Sequence, residues 1–95
     1  MNIGLDYDDT YTRDPEVWDA FITLMRARGH KVYLVTWRFE AELGPVRTHH
    51  LQYKVDEIHA TGRQAKEKHM FEQGICIDVW IDDNPRAILH TMEGY

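Results

Sequence analysis

Cysteine is almost absent from this chain of 95 residues. Its one thiol, Cys76, excludes an intramolecular disulfide and suits a reducing, cytoplasmic setting. Basic residues are scarce as well: eleven Lys and Arg face sixteen Asp and Glu, for a net charge of -5. That balance disfavours nucleic acid as a partner, because duplex backbones reward basic patches. It leaves phosphorylated small molecules open, since a bound metal ion reverses the local sign. No apolar run approaches the length needed to cross a bilayer, so no membrane partner is expected. The chain enters its first apolar run, Ile3-Gly4-Leu5, at once, so no signal peptide is expected. Repeats, low-complexity tracts and linkers are also missing. What is there is 43% hydrophobic content, enough for one compact domain over residues 1–95 that buries about 65% of its unfolded surface.

Strand and helix signals alternate along the chain. A first strand is expected from Asn2 to Tyr7. A helix follows from Pro15 to Arg28, with Asp14 as N-cap and Pro15 at the first helical position. Its apolar face is read as Val17, Phe21 and Leu24, widened by Trp18, Ile22 and Met25, and Gly29 stops it. "KVYLVTWR" is a second strand, and "GPVRTHHLQYK" a helix that opens at Pro45. "VDEIHA" is a weaker third strand, "GRQAKEKHMFEQG" a helix closed by Gly74, and "DVWIDDNP" a fourth strand before a last helix from Pro85 to about His90. The alternation predicts an α/β, three-layer Rossmann-like domain with a mostly parallel sheet of about four strands. In such sheets, sites lie at the carboxyl ends of the strands. Trp18 and Trp80 read as core, and Cys76, between Ile75 and Ile77, as buried.

The strand ends carry the chemistry. Strand one runs into Asp6, Asp8 and Asp9. In an extended strand, Asp6 and Asp8 share one side about 6.5 Å apart. Their repulsion is then about 2.5 kcal/mol at an effective dielectric near 20, so a positive partner or a shared proton is required. Strand two ends in Thr36, strand four in Asp82 and Asp83, and Lys66 precedes strand four on its helix. Mg2+ takes oxygen ligands and often binds through one or two carboxylates plus a substrate phosphate; Asp6 and Asp83 are the candidates. An Asp carboxylate can attack phosphorus, and a second Asp two residues on can protonate the leaving group and then activate water. Thr36 and Lys66 would hold the phosphoryl oxygens. Asp9 reads as a turn residue.

This order resembles the haloacid dehalogenase superfamily, in its phosphatase branch. Asp6-Tyr7-Asp8-Asp9-Thr10 is similar to the family's D-x-D-x-T motif, "VYLVT" to its hydrophobic strand ending in Ser or Thr, "KEKHMFEQGI" to its lysine motif, and "VWIDDNP" to its acidic fourth motif. The resemblance implies Asp6 as nucleophile and Asp8 as general acid/base, with Thr36 binding the phosphoryl group and Lys66 stabilising its charge. It further implies Mg2+ held by Asp6, the backbone carbonyl of Asp8, and Asp83, with Asp82 as partner to that acidic ligand. Lys68 is the rival for the lysine role. The expected activity is hydrolysis of a phosphomonoester through an aspartyl-phosphate. Trp37 and Arg38, directly after Thr36, would sit at the mouth of the site, where Trp37 either stacks on a base or sugar or packs inward.

Three departures qualify the resemblance. The segment between Asp8 and Pro15 is too short for the family's usual flap, and no insertion is long enough for a cap domain. The chain also ends soon after the fourth motif, so a fifth strand is not expected. An open site suits a large phosphorylated substrate, or a homo-oligomer in which a neighbouring subunit serves as lid. Receiver domains gather similar residues, but their phospho-accepting Asp ends a middle strand, and no Asp ends strand two here. The remaining alternative is a non-catalytic metal-binding interaction module on the same fold. Of the six histidines, His49-His50 are adjacent, and neither they nor His59 and His69 show a zinc-site spacing, so all read as surface or helix residues.

Overall fold

The computed structural model describes residues 1–48 and 51–92. Its strands are β1 (Asn2–Leu5), β2 (Lys31–Thr36), β3 (Glu57–Ala60) and β4 (Val79–Ile81). The helices are α1 (Pro15–Ala27), α2 (Gly44–Thr48), α3 (Leu51–Lys54), α4 (Lys66–Glu72) and α5 (Arg86–Leu89), with single 3-10 turns at Tyr11–Arg13 and Glu40–Glu42. The strands form one sheet in the order β3-β2-β1-β4, and every pairing is parallel. The α/β, three-layer Rossmann-like expectation therefore holds, with no inserted domain among the described residues. His49 and His50, in the middle of the helix expected after Pro45, lie outside the described residues.

Each sheet face has its own apolar cluster. Ile3, Leu5, Val32 and Leu34 point to one side and pack with Ile22, Leu43, Val46 and Leu51. Tyr33 and Val35 point to the other and pack with Met70, Ile75, Ile77 and Trp80. Period-two alternation on central strands buried on both sides explains why their sequences read as almost continuously apolar. Gly4 serves a close approach: a Cβ there would lie 2.6 Å from the Trp80 ring, which crosses β1 at that point.

Helix α1 starts as expected, with the Asp14 carboxylate accepting the Val17 N–H at 3.3 Å and Gly29 leaving the helix at φ +86°. Its buried face differs from the one read in sequence. Val17 and Leu24 are exposed at 54% and 55%, while Ile22 is buried and Trp18, Phe21 and Met25 pack on the core. Residues 18, 21, 22 and 25 form an i, i+3, i+4, i+7 stripe, and seating its two aromatic rings removes more apolar surface than seating Val17 and Leu24 would. Trp18 meets Phe21 edge-on at 5.7 Å. Cys76 is also a correction, being exposed rather than buried. The chain after α4 is extended there, so Ile75 and Ile77 turn into the second cluster and Cys76 between them turns out. Its carbonyl accepts the Asn2 side-chain amide at 2.9 Å. Among the described residues, no helix is long and apolar enough to cross a membrane.

Candidate functional site

The carboxyl ends of β1, β2 and β4 open onto a cleft of about 220 Å³ lined by Asp6, Asp8, Thr36, Trp37, Lys66, Asp82 and Asp83, with Asp9, Arg63, Asn84 and Ala87 at its borders. β1 and β4 are paired in register up to Leu5 and Ile81, and the Asp6 N–H still donates to the Ile81 carbonyl at 3.0 Å. That pairing brings Asp6 beside Asp82 and Asp83. Oxygens of the three carboxylates lie within 4.8 Å of one another.

Lys66 is the positive partner this crowding requires. It opens α4 and is 1% exposed, and its Nζ donates to Asp6 Oδ1 at 2.7 Å and to Asp82 Oδ2 at 2.6 Å. Lys68 points elsewhere: its side chain is 66% exposed and pairs at 3.9 Å with Glu72 along the helix. Asp82 has its second oxygen engaged as well, accepting the Asn84 N–H at 2.9 Å. Lys66 leaves Asp6 Oδ2 and the Asp83 carboxylate outside its own two bonds.

Thr10 ties those two together. Its Oγ1 lies 3.1 Å from Asp6 Oδ2 and 3.1 Å from Asp83 Oδ1, and accepts the Asp83 N–H at 3.1 Å. With one proton it donates to one carboxylate at a time. Burial pushes the Asp6 carboxyl up to about 7, against the attraction of Lys66 and with further help from the Asp82 charge. At Asp83 burial acts in the same upward direction, but hydrogen bonds from Asp6, Thr10 and its own backbone outweigh it and hold the carboxyl below its usual range.

Asp6 and Asp8 do not share one side of an extended strand. β1 ends at Leu5 and residues 7–10 form a turn, with Asp9 at φ +61° as the turn residue expected of it. Asp6 turns inward to Lys66. Asp8, 49% exposed, turns to Arg38, which holds it through two bonds of 2.9 and 2.8 Å. Each Asp has its own cation. The third Arg38 donor goes to the Glu42 carbonyl at 2.9 Å, and the guanidinium lies over the Tyr7 ring at 5.5 Å. Arg38 is paired with Asp8 and is not among the described residues that line the cleft. The Asp8 carboxylate likewise stands outside the acidic triad.

Thr36 is fully buried, and its Oγ1 accepts the Arg38 N–H at 3.2 Å, which leaves its own proton unused by that bond. Trp37 lines the cleft, and its indole Nε1 is buried with no hydrogen-bond partner among the described residues. The Trp37 carbonyl accepts both the backbone N–H and a guanidinium N–H of Arg63, each at 3.0 Å. Sequence reading missed Arg63 and gave Thr10 no role. Thr10 had a signal, the closing residue of the D-x-D-x-T pattern. Arg63 had none: it enters through a turn in which Gly62 and Arg63 both take positive φ, at +60° and +73°.

The donor set suits a hard divalent cation. Three carboxylates against one ammonium leave two negative charges, and all the available donors are oxygens, as Mg2+ prefers. Comparison with protein-family models, with curated proteins and with solved structures found no match.

Proposed function

We propose that the chain is a Mg2+-dependent phosphomonoester hydrolase of the haloacid dehalogenase type, working through an aspartyl-phosphate on Asp6. The observation that carries this is the acidic triad with its buried lysine: Asp6, Asp82 and Asp83 within 4.8 Å, held by Lys66. Asp6 and Asp83 would hold the ion, with Asp82 fixing Lys66 from behind and the Asp8 carbonyl as the further ligand the family pattern implies. Bound there, Mg2+ would offset the charge of the phosphoryl oxygens and keep Asp6 deprotonated.

The chain's own residues supply the remaining steps. The Asp6 carboxylate attacks phosphorus while the bond from phosphorus to the ester oxygen breaks, and Asp8 delivers a proton to that oxygen. Asp8 then takes a proton from water as the water oxygen attacks the phosphorus, which releases phosphate and restores Asp6. The Thr36 hydroxyl and the Lys66 ammonium hold the phosphoryl oxygens throughout. For either transfer, Arg38 has to surrender at least one of its two bonds to Asp8. The substrate is a phosphorylated molecule whose remaining part stays outside the small cleft, or is covered by a neighbouring subunit. A reducing, cytoplasmic location fits the single thiol.

The same Arg38 clamp favours a second reading, a non-catalytic module that binds metal while its acid/base residue stays locked. Phosphate release from a panel of phosphomonoesters separates the two. It is measured with Mg2+, with chelator, and in Asp6→Asn. Turnover that needs Mg2+ and disappears in the variant supports the hydrolase. No turnover, together with no Mg2+-dependent capture of beryllium fluoride, leaves the binding module.

A further inference from the structure

Two histidines that show no metal spacing in sequence meet on the far side of the sheet. His59 lies on β3, the edge strand, and His69 on α4, one turn beyond Lys66. His59 Nδ1 and His69 Nε2 are 3.3 Å apart, with the rings 75° from coplanar. The other nitrogen of His59, Nε2, lies 2.9 Å from Glu57 Oε1. We propose that His59 and His69 form a two-histidine site for a zinc-class divalent cation, oriented by Glu57 and separate from the acidic cleft.

The bite is right for the metal. With bonds of about 2.0–2.1 Å, two nitrogens 3.3 Å apart subtend roughly 105–110° at a common ion, the tetrahedral angle zinc adopts. The outer bond is also in place. A ligating imidazole commonly donates its second N–H to a carboxylate, which fixes the tautomer and strengthens the ligand. Glu57 on Nε2 leaves the His59 Nδ1 lone pair facing His69. Burial and the nearby His59 lower the His69 pKa, so its ring is neutral and able to ligate at neutral pH. The carboxylates of Glu72 and Glu40 act on His69 in the opposite sense and favour a cation at this spot. Without metal, a proton between the two rings serves as the link the ion replaces. Imidazole ligands select Zn2+, Ni2+ or Cu2+ over Mg2+, so the two sites would fill independently, with water completing this one. The ion would clip edge strand β3 to the helix that begins with Lys66.

The test uses the full chain with millimolar Mg2+ present, to saturate the carboxylates, and Zn2+ as the probe. Calorimetry should show one Zn2+ bound per chain, and Co2+ in its place should give the strong visible absorbance of a tetrahedral site. His59→Gln or His69→Gln should weaken binding by about tenfold or more, and Glu57→Gln by about tenfold. A His49→Gln/His50→Gln variant should bind as the parent does. In the unaltered chain, Zn2+ should shift the imidazole NMR signals of His59 and His69 together, a readout that holds even if a variant folds poorly. Absence of binding, affinity unchanged in both single variants, or binding that follows His49 and His50 overturns the proposal. Phosphate release is not among the readouts, so either proposal can fail while the other stands.

Discussion

Replacing Lys66 by Met removes the buried ammonium while keeping most of the side chain's volume, so packing changes little. Nζ now holds Asp6 at 2.7 Å and Asp82 at 2.6 Å, with all three side chains nearly out of solvent. Breaking a buried pair by removing one partner costs about 3–5 kcal/mol, a large share of the ~5–15 kcal/mol that holds a domain together. The loss has a definite pH dependence. Asp6 is already raised from 3.8 to about 7 by burial, with Lys66 opposing the shift. Without Lys66 it rises further. A group whose folded pKa lies above its unfolded value contributes stability below the unfolded pKa, and that contribution is lost as pH rises through the folded one. The deficit of Lys66→Met should therefore be smaller near pH 5, where Asp6 is protonated and Asp82 alone loses a charged partner, and should grow as pH rises through and beyond about 7. Urea unfolding followed by tryptophan fluorescence, in chelator, at the two ends of that range measures it. A loss below about 1 kcal/mol, or an equal loss at both pH values, would refute the charge-balance account of the cleft.

In the metal-free parent the same sign applies, so stability should fall as pH rises from 3.8 towards about 7, and Mg2+ should raise Tm more at pH 8 than at pH 5.5; thermal melts with Mg2+ and with chelator decide it. Asp8→Asn should lower kcat by roughly 10²–10⁴-fold while changing stability by no more than about 1 kcal/mol, because its pair with Arg38 is half exposed. Phosphate release and urea unfolding on the same sample test both halves. Gly4→Ala should cost about 1–3 kcal/mol by overpacking, since the new Cβ would meet the Trp80 ring at 2.6 Å; unfolding midpoints that match the parent would show that the ring yields.

Much of this was legible in the sequence, for reasons that differ from element to element. Asp14 with Pro15 marked the start of α1, because capping and φ restriction act within a few residues. The alternation of strands and helices predicted the parallel sheet for a similar reason: a short chain offers few ways to cover both faces. The acidic pair after β4 pointed to the cleft, and the pairing of β1 with β4 confirmed that the two ends meet. Features that depend on rotation or on tertiary direction were not legible. Val17 and Leu24 fit the helical period as well as Trp18 and Ile22 do, and only the relative areas of the two faces decide between them. Arg38 next to Thr36 suggested the cleft, yet the guanidinium folds back on Asp8. His59 and His69 are ten residues apart, and only the packing of α4 against β3 brings their nitrogens to 3.3 Å.

The turn after β1 explains how two aspartates two residues apart can take different roles. Had the chain stayed extended, Asp6 and Asp8 would have shared one environment and one repulsion of about 2.5 kcal/mol. Ending the strand at Leu5 and passing through Asp9 in the left-handed region, which Asp tolerates better than most residues, separates them. Asp6 is drawn inward to Lys66, where burial keeps its pKa high. Asp8 is swung outward to Arg38, with its side chain about half exposed. The same turn returns Thr10 to bond Asp6 and Asp83, so one short segment sets the surroundings of both aspartates. The different surroundings of Asp6 and Asp8 follow from the turn, because the side-chain chemistry at the two positions is the same.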